Sequence, residues 1–471
     1  MSRKPPPALL PPIGEAVSSL IVWMNGERVG EWVTSRRTAS IFRYDESWAG
    51  SALARPISLS LPLTADLQVR GPAVDNYFDN LLPDNPAIRA RIRSRFRTGS
   101  AEAFDLLTAI GRDCVGAVQL LPPGEDPVDW NCVDANPLSE ADVERLLSQV
   151  TVATPLDPDE QDEFRISIAG AQEKTALLGM AGGWYRPQHA TPTTHILKLP
   201  LGIVGGFRGD FSDSVENEWL CAQFLREIGL PVAQSTMVTF GAQRTLVVER
   251  FDRRWIGVEN SAVQKKRFRP REGMWIARLP QEDFCQATGH AQTEKYQADG
   301  GPSIIDCLTL LANSETAAAD QTTFALAQLA FWLLAATDGH GKNFSLFNHA
   351  GGSYRLTPLY DVLSAWPIIG NAHNPLPFKK AKLAMAVPGK NPHYRITEVL
   401  ARHWQALAQK SGVPGLWDRI QELVERAPGA IDRLQEHLPR EFPERVFTTI
   451  RAGIRDQARR FKQTNALTVS A

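Results

Sequence analysis

The sequence predicts an α+β protein: a small mixed module, then a strand-rich lobe, then an all-helical C-terminal lobe. Three observations carry this expectation. Short runs of alternating apolar residues, such as 195–199 and 245–251, cluster between residues 164 and 260, and a period of two marks strands. From about residue 280 onward helical apolar spacing dominates, as in helices that bury one face. Ahead of both, residues 19–33 read as two strands joined by Asn25-Gly26, a pair suited to a hairpin turn with positive φ at both central positions.

Composition excludes several classes. At 471 residues, with 43% hydrophobic and 22% charged residues, the chain has ample core for more than one domain. A net charge of -1 makes it no polycation. The 5 cysteines are scattered, with no Cys-x-x-Cys, so neither a zinc site nor a disulfide framework is supported and a reducing, cytoplasmic setting fits. Proline breaks up residues 1–16 too often for a signal-peptide core. The apolar run 324–336 is too short to cross a bilayer and contains Gln328, so it reads as a buried core helix and no membrane partner is expected.

In chain order, residues 1–16 are expected to form a disordered tail, 17–125 the N-terminal module, 126–163 a connector, 164–275 the strand-rich lobe and 276–465 the helical lobe. Within the module, 57–61 alternates like a strand and 76–82 is spaced like a helix. Another helix begins near Pro86, with Asp84 or Asn85 as its cap. The connector is rich in Pro, Asp and Glu and holds a helix at 139–150. Strands at 164–168, 174–178, 195–199 and 245–251 are interrupted by a helix over 215–228, which stops at Gly229-Leu-Pro. Helices follow at 308–311, 324–336, 396–410, 416–426, 431–438 and 444–461. The segment 372–465 has an excess of Lys and Arg, which suits nucleic acid or an acidic partner as well as a solvated helical surface.

The chemistry concentrates in Asp338-Gly-His-Gly-Lys-Asn343. Asp-x-x-x-x-Asn is the spacing of a protein-kinase catalytic loop. Residues 344–357 read as a hairpin that returns the chain to Asp361. Asp338 would orient a hydroxyl nucleophile, and Asn343 and Asp361 would hold magnesium. An Asp-Gly turn with a chance Asn also occurs, but the hairpin and second acid weigh against it. Lys342 suits the charge of a γ-phosphate. His340 stands among the nucleotide contacts, although a hydrogen bond within the turn is its plainer reading. In Ser167-Ile-Ala-Gly-Ala-Gln-Glu-Lys174, the small Ala169, Gly170 and Ala171 would let backbone N–H groups approach phosphate oxygens. A plain turn fits that stretch too, and it is not a P-loop. Lys198 points away from Leu197 and Leu199 on its strand, as a lysine that touches the α- and β-phosphates would. Glu218, on the following helix, is its candidate partner. Glu249 and Phe251 end a strand where backbone groups would meet adenine. A strand-rich lobe followed by a helical one is the layout of a bilobed kinase, with nucleotide between the lobes.

Taken together these residues resemble the HipA family of bacterial serine/threonine kinases, the toxins of type II toxin–antitoxin pairs. The matching stretches are 167–178, 191–200, 249–254, 279–286, 336–345 and 351–361, and the N-terminal hairpin and Phe78-Asp-Asn-Leu-Leu-Pro-Asp resemble the family's first module. The resemblance implies that Ser167 is autophosphorylated with loss of activity, as about -1.5 to -2 charges added there would repel nucleotide. It also implies that Lys198 binds ATP phosphates, that Asp338 is the catalytic acid, and that Asn343 and Asp361 bind the metal. A helix-turn-helix antitoxin, operator DNA bound through it, and an aminoacyl-tRNA synthetase as substrate are the implied partners. Residues 256–275, with the basic run 265–271, exceed the family pattern and suit a solvated loop or hairpin, or a DNA contact. Two alternatives stay open: a lipid or small-molecule kinase, and a DNA-bound co-repressor with a vestigial site.

Overall fold

The computed structural model describes residues 18–35, 38–150, 172–204, 209–370 and 376–469. The chain opens with a five-stranded antiparallel sheet whose first hairpin joins Ser18–Met24 to Glu27–Thr34. Asn25 and Gly26 take φ of 47° and 84°, the left-handed geometry expected of that turn. Trp32 stacks on Phe78 from helix Pro72–Asp79 with ring centroids 4.1 Å apart, closing the module's core. The next helix, Pro86–Phe96, is capped by Asn85, whose side chain accepts from the Ala87 amide at 2.9 Å. Residues 57–61 are not a strand: a tight turn pairs Ser58 with Leu61. Ile57 and Leu61 are buried, as the alternation predicts. The intervening serines, however, face Glu282 and the Gln286 carbonyl rather than water.

A second, six-stranded sheet runs in the order Ser235–Phe240, Gln243–Glu249, His195–Lys198, Lys174–Met180, Gly183–Pro187, Ala135–Leu138, with every pairing antiparallel. Its edge strand and the helix Glu140–Val150 both come from the stretch expected to be a connector. Val143, Leu146 and Leu147 of that helix bury against Leu177, Leu197, Leu199 and Val247. The proline-rich, acidic composition hid a short strand that needs only four residues. The expected strand 164–168 lies outside the described residues. Segment 256–275 is a hairpin extension, as one reading expected: Arg253–Ile256 pairs with Trp275–Arg278, and Phe268 packs edge-on to Trp255 at 5.5 Å.

The C-terminal half is built around helix Ala317–Leu334, nearly all of whose length is buried among helices Ile304–Leu311, Ala401–Ser411, Leu416–Leu434 and Glu444–Val469. It is the core helix expected from its apolar run. No helix among the described residues is long and apolar enough to cross a membrane. The two helices expected at 416–426 and 431–438 are one, continuous through Pro428. The half is not all-helical. Strands Gln281–Asp283, Ser345–Asn348 and Tyr354–Leu356 form one sheet, and Lys382–Val387 pairs with His393–Arg395. Ser345–Asn348 and Tyr354–Leu356 are the hairpin expected at 344–357, whereas Gln281–Asp283 and His393–Arg395 are three residues long, too short for period two to stand out.

The stretch 249–254 joins the first module to the second sheet through buried charge. Asp113 accepts from Arg250, Arg253 and Arg278 at 3.3, 2.9 and 3.1 Å, and Asp252 takes Arg250 and Arg253 at 2.8 and 2.9 Å. Burial alone would raise the Asp113 carboxyl, but the three guanidinium groups hold it well below the usual carboxylate range. Asp113→Ala leaves Arg250 and Arg253 to share Asp252 and takes from Arg278 the acid it pairs with, and the expected cost in unfolding free energy is about 3–5 kcal/mol. Because the folded pKa is depressed, the wild-type advantage is present above about pH 4 and fades below it, which denaturant titration across pH reads directly.

Candidate active site

Lys198 lies on the face of its strand opposite Leu197, which is buried beneath helix Glu140–Val150. Its Nζ donates to Glu218 Oε1 at 2.6 Å and to Asp361 Oδ1 at 2.8 Å. Glu218 sits in helix Ser214–Glu227. Asp361 follows the hairpin of Ser345–Asn348 and Tyr354–Leu356, where Leu359 bonds to Pro231 and Ala233 at 2.9 and 2.8 Å. The Asp361 backbone is left-handed, φ 58°, a conformation that costs a non-glycine residue about 1–2 kcal/mol. Such strain persists where the surroundings over-determine it, typically at functional sites. Two carboxylates share one ammonium. Burial favours neutral Asp361, yet Lys198 and Lys174 hold it well below its ordinary range, while burial leaves Glu218 pushed up to about 7 despite Lys198.

Lys174 stands directly across the ladder from Lys198. Burial lowers its ammonium to about 8, against the pull of Asp361. It belongs to the site by position, and the sequence reading assigned it no role. Its signal was the alternation Lys174, Ala176, Leu178, but only strand register sets it opposite Lys198.

The loop of Asp338 follows helix Ala317–Leu334, which ends at Ala335 with φ 49°. Both of its glycines are required by close approach. A Cβ at Gly339 would lie 2.2 Å from the Phe331 ring, and one at Gly341 would lie 2.8 Å from Cys285 Sγ. Asn343 closes the turn: its amide donates to the His340 carbonyl at 3.0 Å, and its Oδ1 accepts from the His340 amide at 3.3 Å. The Asp338 side chain is 61% exposed and accepts a hydrogen bond from the Tyr296 hydroxyl. His340 is buried edge-on to Tyr296, and burial pushes its ring down to about 4, so it is neutral near pH 7. Lys342 does not fit the phosphate role expected of it. Its three protons go to Asn80 O at 2.8 Å, Asn80 Oδ1 at 2.7 Å and Asp283 Oδ2 at 3.0 Å.

One cleft is lined by Lys174, Lys198, Glu218, Asp338, Asn343 and Asp361, with Glu249, Phe251, His340 and Lys342 also on its wall. Its apolar side, including Ile196, Val232, Val248 and Phe251, suits a flat ring. Glu249 spends its amide on the Gln234 carbonyl at 2.8 Å, so that group is not free for a base. Asn343 and Asp361 offer oxygen donors of the kind magnesium takes together with phosphate and water. No larger metal-binding cluster occurs among the described residues. Ser167, Ala169, Gly170 and Ala171 lie outside the described residues. The described chain resumes at Gln172, two positions before Lys174.

Comparison with known proteins shows the family. The family model of the HipA N-terminal domain matches residues 20–121, and that of the HipA-like C-terminal domain matches 166–434. The chain is 33% identical over 428 residues to Y4mE of Sinorhizobium fredii, a protein named as a kinase, covering 89% of this chain and 92% of that one. It is 26% identical over 344 residues to the serine/threonine-protein kinase toxin HipA of Shewanella oneidensis, covering 69% and 71%. Its fold matches HipA in the solved Shewanella oneidensis complex of HipA, HipB and operator DNA with a TM-score of 0.74 at 23% identity, over 94% of this chain and 97% of that one. The chain belongs to the HipA family of kinases.

Proposed function

We propose that the chain transfers the γ-phosphate of ATP to a serine or threonine hydroxyl of a protein, as the growth-arrest toxin of a toxin–antitoxin pair. The observation that carries this reading is Lys198, bonded at once to Glu218 and Asp361, in the same cleft as Asp338 and Asn343. The six-stranded sheet and the helical half then act as the two lobes of a kinase. Lys198 and Lys174 bind phosphate oxygens, and the apolar wall takes the adenine. Asn343 and Asp361 would hold magnesium, which would supply charge neutralisation on the phosphates. Asp338 orients the acceptor hydroxyl and takes its proton as the new O–P bond forms and the bond to ADP breaks. A neutral His340 adds no competing charge.

Ser167 as an inhibitory autophosphorylation site and an aminoacyl-tRNA synthetase as target rest on the family resemblance, and a cytoplasmic setting rests on the scattered cysteines. The Shewanella complex of HipA, HipB and operator DNA supports an antitoxin and operator DNA as partners; that the antitoxin is a helix-turn-helix protein rests on the family resemblance. Labelled ATP and magnesium test the reading: wild type should take up phosphate, with peptide mapping placing it on Ser167, and Asp338→Ala should not. Equal uptake by both would sink it.

The DNA surface is better sought away from the C-terminal arginines. Arg451 and Arg455 both pair with Asp432, and Arg459 pairs with Asp456 at 2.8 Å. Lys265, Lys266, Arg267, Arg269 and Arg271 are exposed on the hairpin extension. For the antitoxin-bound protein on its operator, changing these five to glutamine is expected to flatten the plot of log affinity against log salt by roughly 0.9 for each phosphate no longer neutralised. An unchanged slope would exclude that surface.

A further inference from the structure

The loops that carry the chemistry are gripped by the N-terminal module. Lys342, next to Asn343 in the catalytic loop, is bonded to Asn80 through both its carbonyl and its side chain. Lys295 donates to Asp84 at 2.8 Å, lies 5.5 Å from the centroid of the Tyr296 ring, and accepts from the Gly341 amide at 3.1 Å through its carbonyl. The Tyr296 hydroxyl in turn donates to Asp338 Oδ1. Asn80 and Asp84 line the same cleft as the site itself.

Docking of the module does not require these charges. Neutral bonds already form the seam: Asn76 Nδ2 to the Gly289 carbonyl at 2.8 Å, Asn80 Nδ2 to the His290 carbonyl at 2.9 Å, and Gln286 Nε2 to the Tyr77 carbonyl at 3.0 Å. Burying an ammonium and a carboxylate at a seam is a poor route to stability alone. What these pairs add is direction. One ends beside Asn343 and the other ends on Asp338.

Resting on the kinase reading above, we propose that Asn80, Asp84 and Tyr296 are positioning residues for phosphate transfer. Through Lys295 and Tyr296 the N-terminal module sets the Asp338 carboxylate, with Oδ1 occupied by the phenol and the second oxygen left for the acceptor hydroxyl. Through Lys342 it sets the loop that presents Asn343. The first module is therefore part of the catalytic apparatus, three side-chain steps from the reacting hydroxyl.

The test measures the rate of phosphate uptake from labelled ATP by the full chain at varied ATP, with melting temperature alongside. Tyr296→Phe removes one oxygen and keeps the ring, so it is expected to fold as wild type. It should lower kcat by about tenfold to a hundredfold, the cost of a misplaced reacting group, with KM for ATP nearly unchanged. Asp84→Asn should do the same to a smaller degree. The double variant should lose less than the sum of the two singles, because Asp84 and Tyr296 share the arm through Lys295, while Asp84 also lies 3.9 Å from Lys342. Wild-type kcat in Tyr296→Phe, a rate above wild type, or strictly additive losses in the double variant would overturn the proposal. Were wild type itself inactive, the kinase reading would fall, and this inference with it.

Discussion

Asp338→Ala is expected to cut phosphate transfer by about 10²–10⁴-fold, the usual contribution of a positioned acid–base group. The structure gives this variant an unusually clean interpretation. The Asp338 side chain is largely exposed, with Tyr296 and His340 its neighbours. Removing it strands no buried charge, so the melting temperature should stay close to wild type. Nucleotide affinity should persist as well, because in the proposed mechanism Lys198 and Lys174 on the sheet, not Asp338, take the phosphates. The informative result is therefore a split: transfer lost, fold and ATP binding kept. Transfer at the wild-type rate would remove Asp338 from the mechanism.

Lys198→Met should fail in the opposite manner, losing both chemistry and stability. Losing a fixed cation from a phosphate site is expected to lower transfer by about 10²–10³-fold. It also leaves Glu218 buried beside Asp361 with no cation bonded to either as Lys198 was. Breaking a buried pair this way costs about 3–5 kcal/mol. The loss should depend on pH. Burial already holds Glu218 at about 7, and without Lys198 its folded pKa rises further above the unfolded value. A group shifted upward favours folding while protonated and loses that contribution as pH rises through the folded pKa. Denaturant titration should thus find a smaller wild-type-to-variant gap at pH 6 than at pH 8. A gap that is equal at both would mean that Glu218 is not the stranded group.

How far these residues could be read in advance follows from how their signals are encoded. Lys198 was legible because a lysine between two leucines on a strand must point away from the core. Asp338 and Asn343 were legible by spacing, and Asp361 because a hairpin has only one way to return. Glu218 was a reasonable partner because it begins the next helix. Lys342 was misread: its place in the loop said charge near phosphate, while its protons go to Asn80, 262 residues away in sequence. Tyr296 carried no signal, and Asp84 was read only as a candidate helix cap and as the end of a stretch resembling the family's first module, since neither lies in a periodic segment that faces the cleft. The serines of 57–61 looked like the wet face of a strand because alternation records which residues avoid the core, not whether water or a buried glutamate meets them.

The order of amino acids was enough to place most of the longer strands and helices and the faces they bury, and to single out residues suited to phosphate chemistry. Those properties are local: periodicity, turn residues and spacing act within a few residues of chain. It took the folded molecule to establish that one ammonium serves two carboxylates, that Lys174 faces Lys198, and that the first module reaches the Asp338 loop. These depend on strand register and on contacts between segments far apart in the chain. Low-dielectric burial then sets which group carries the charge, and no local pattern encodes that.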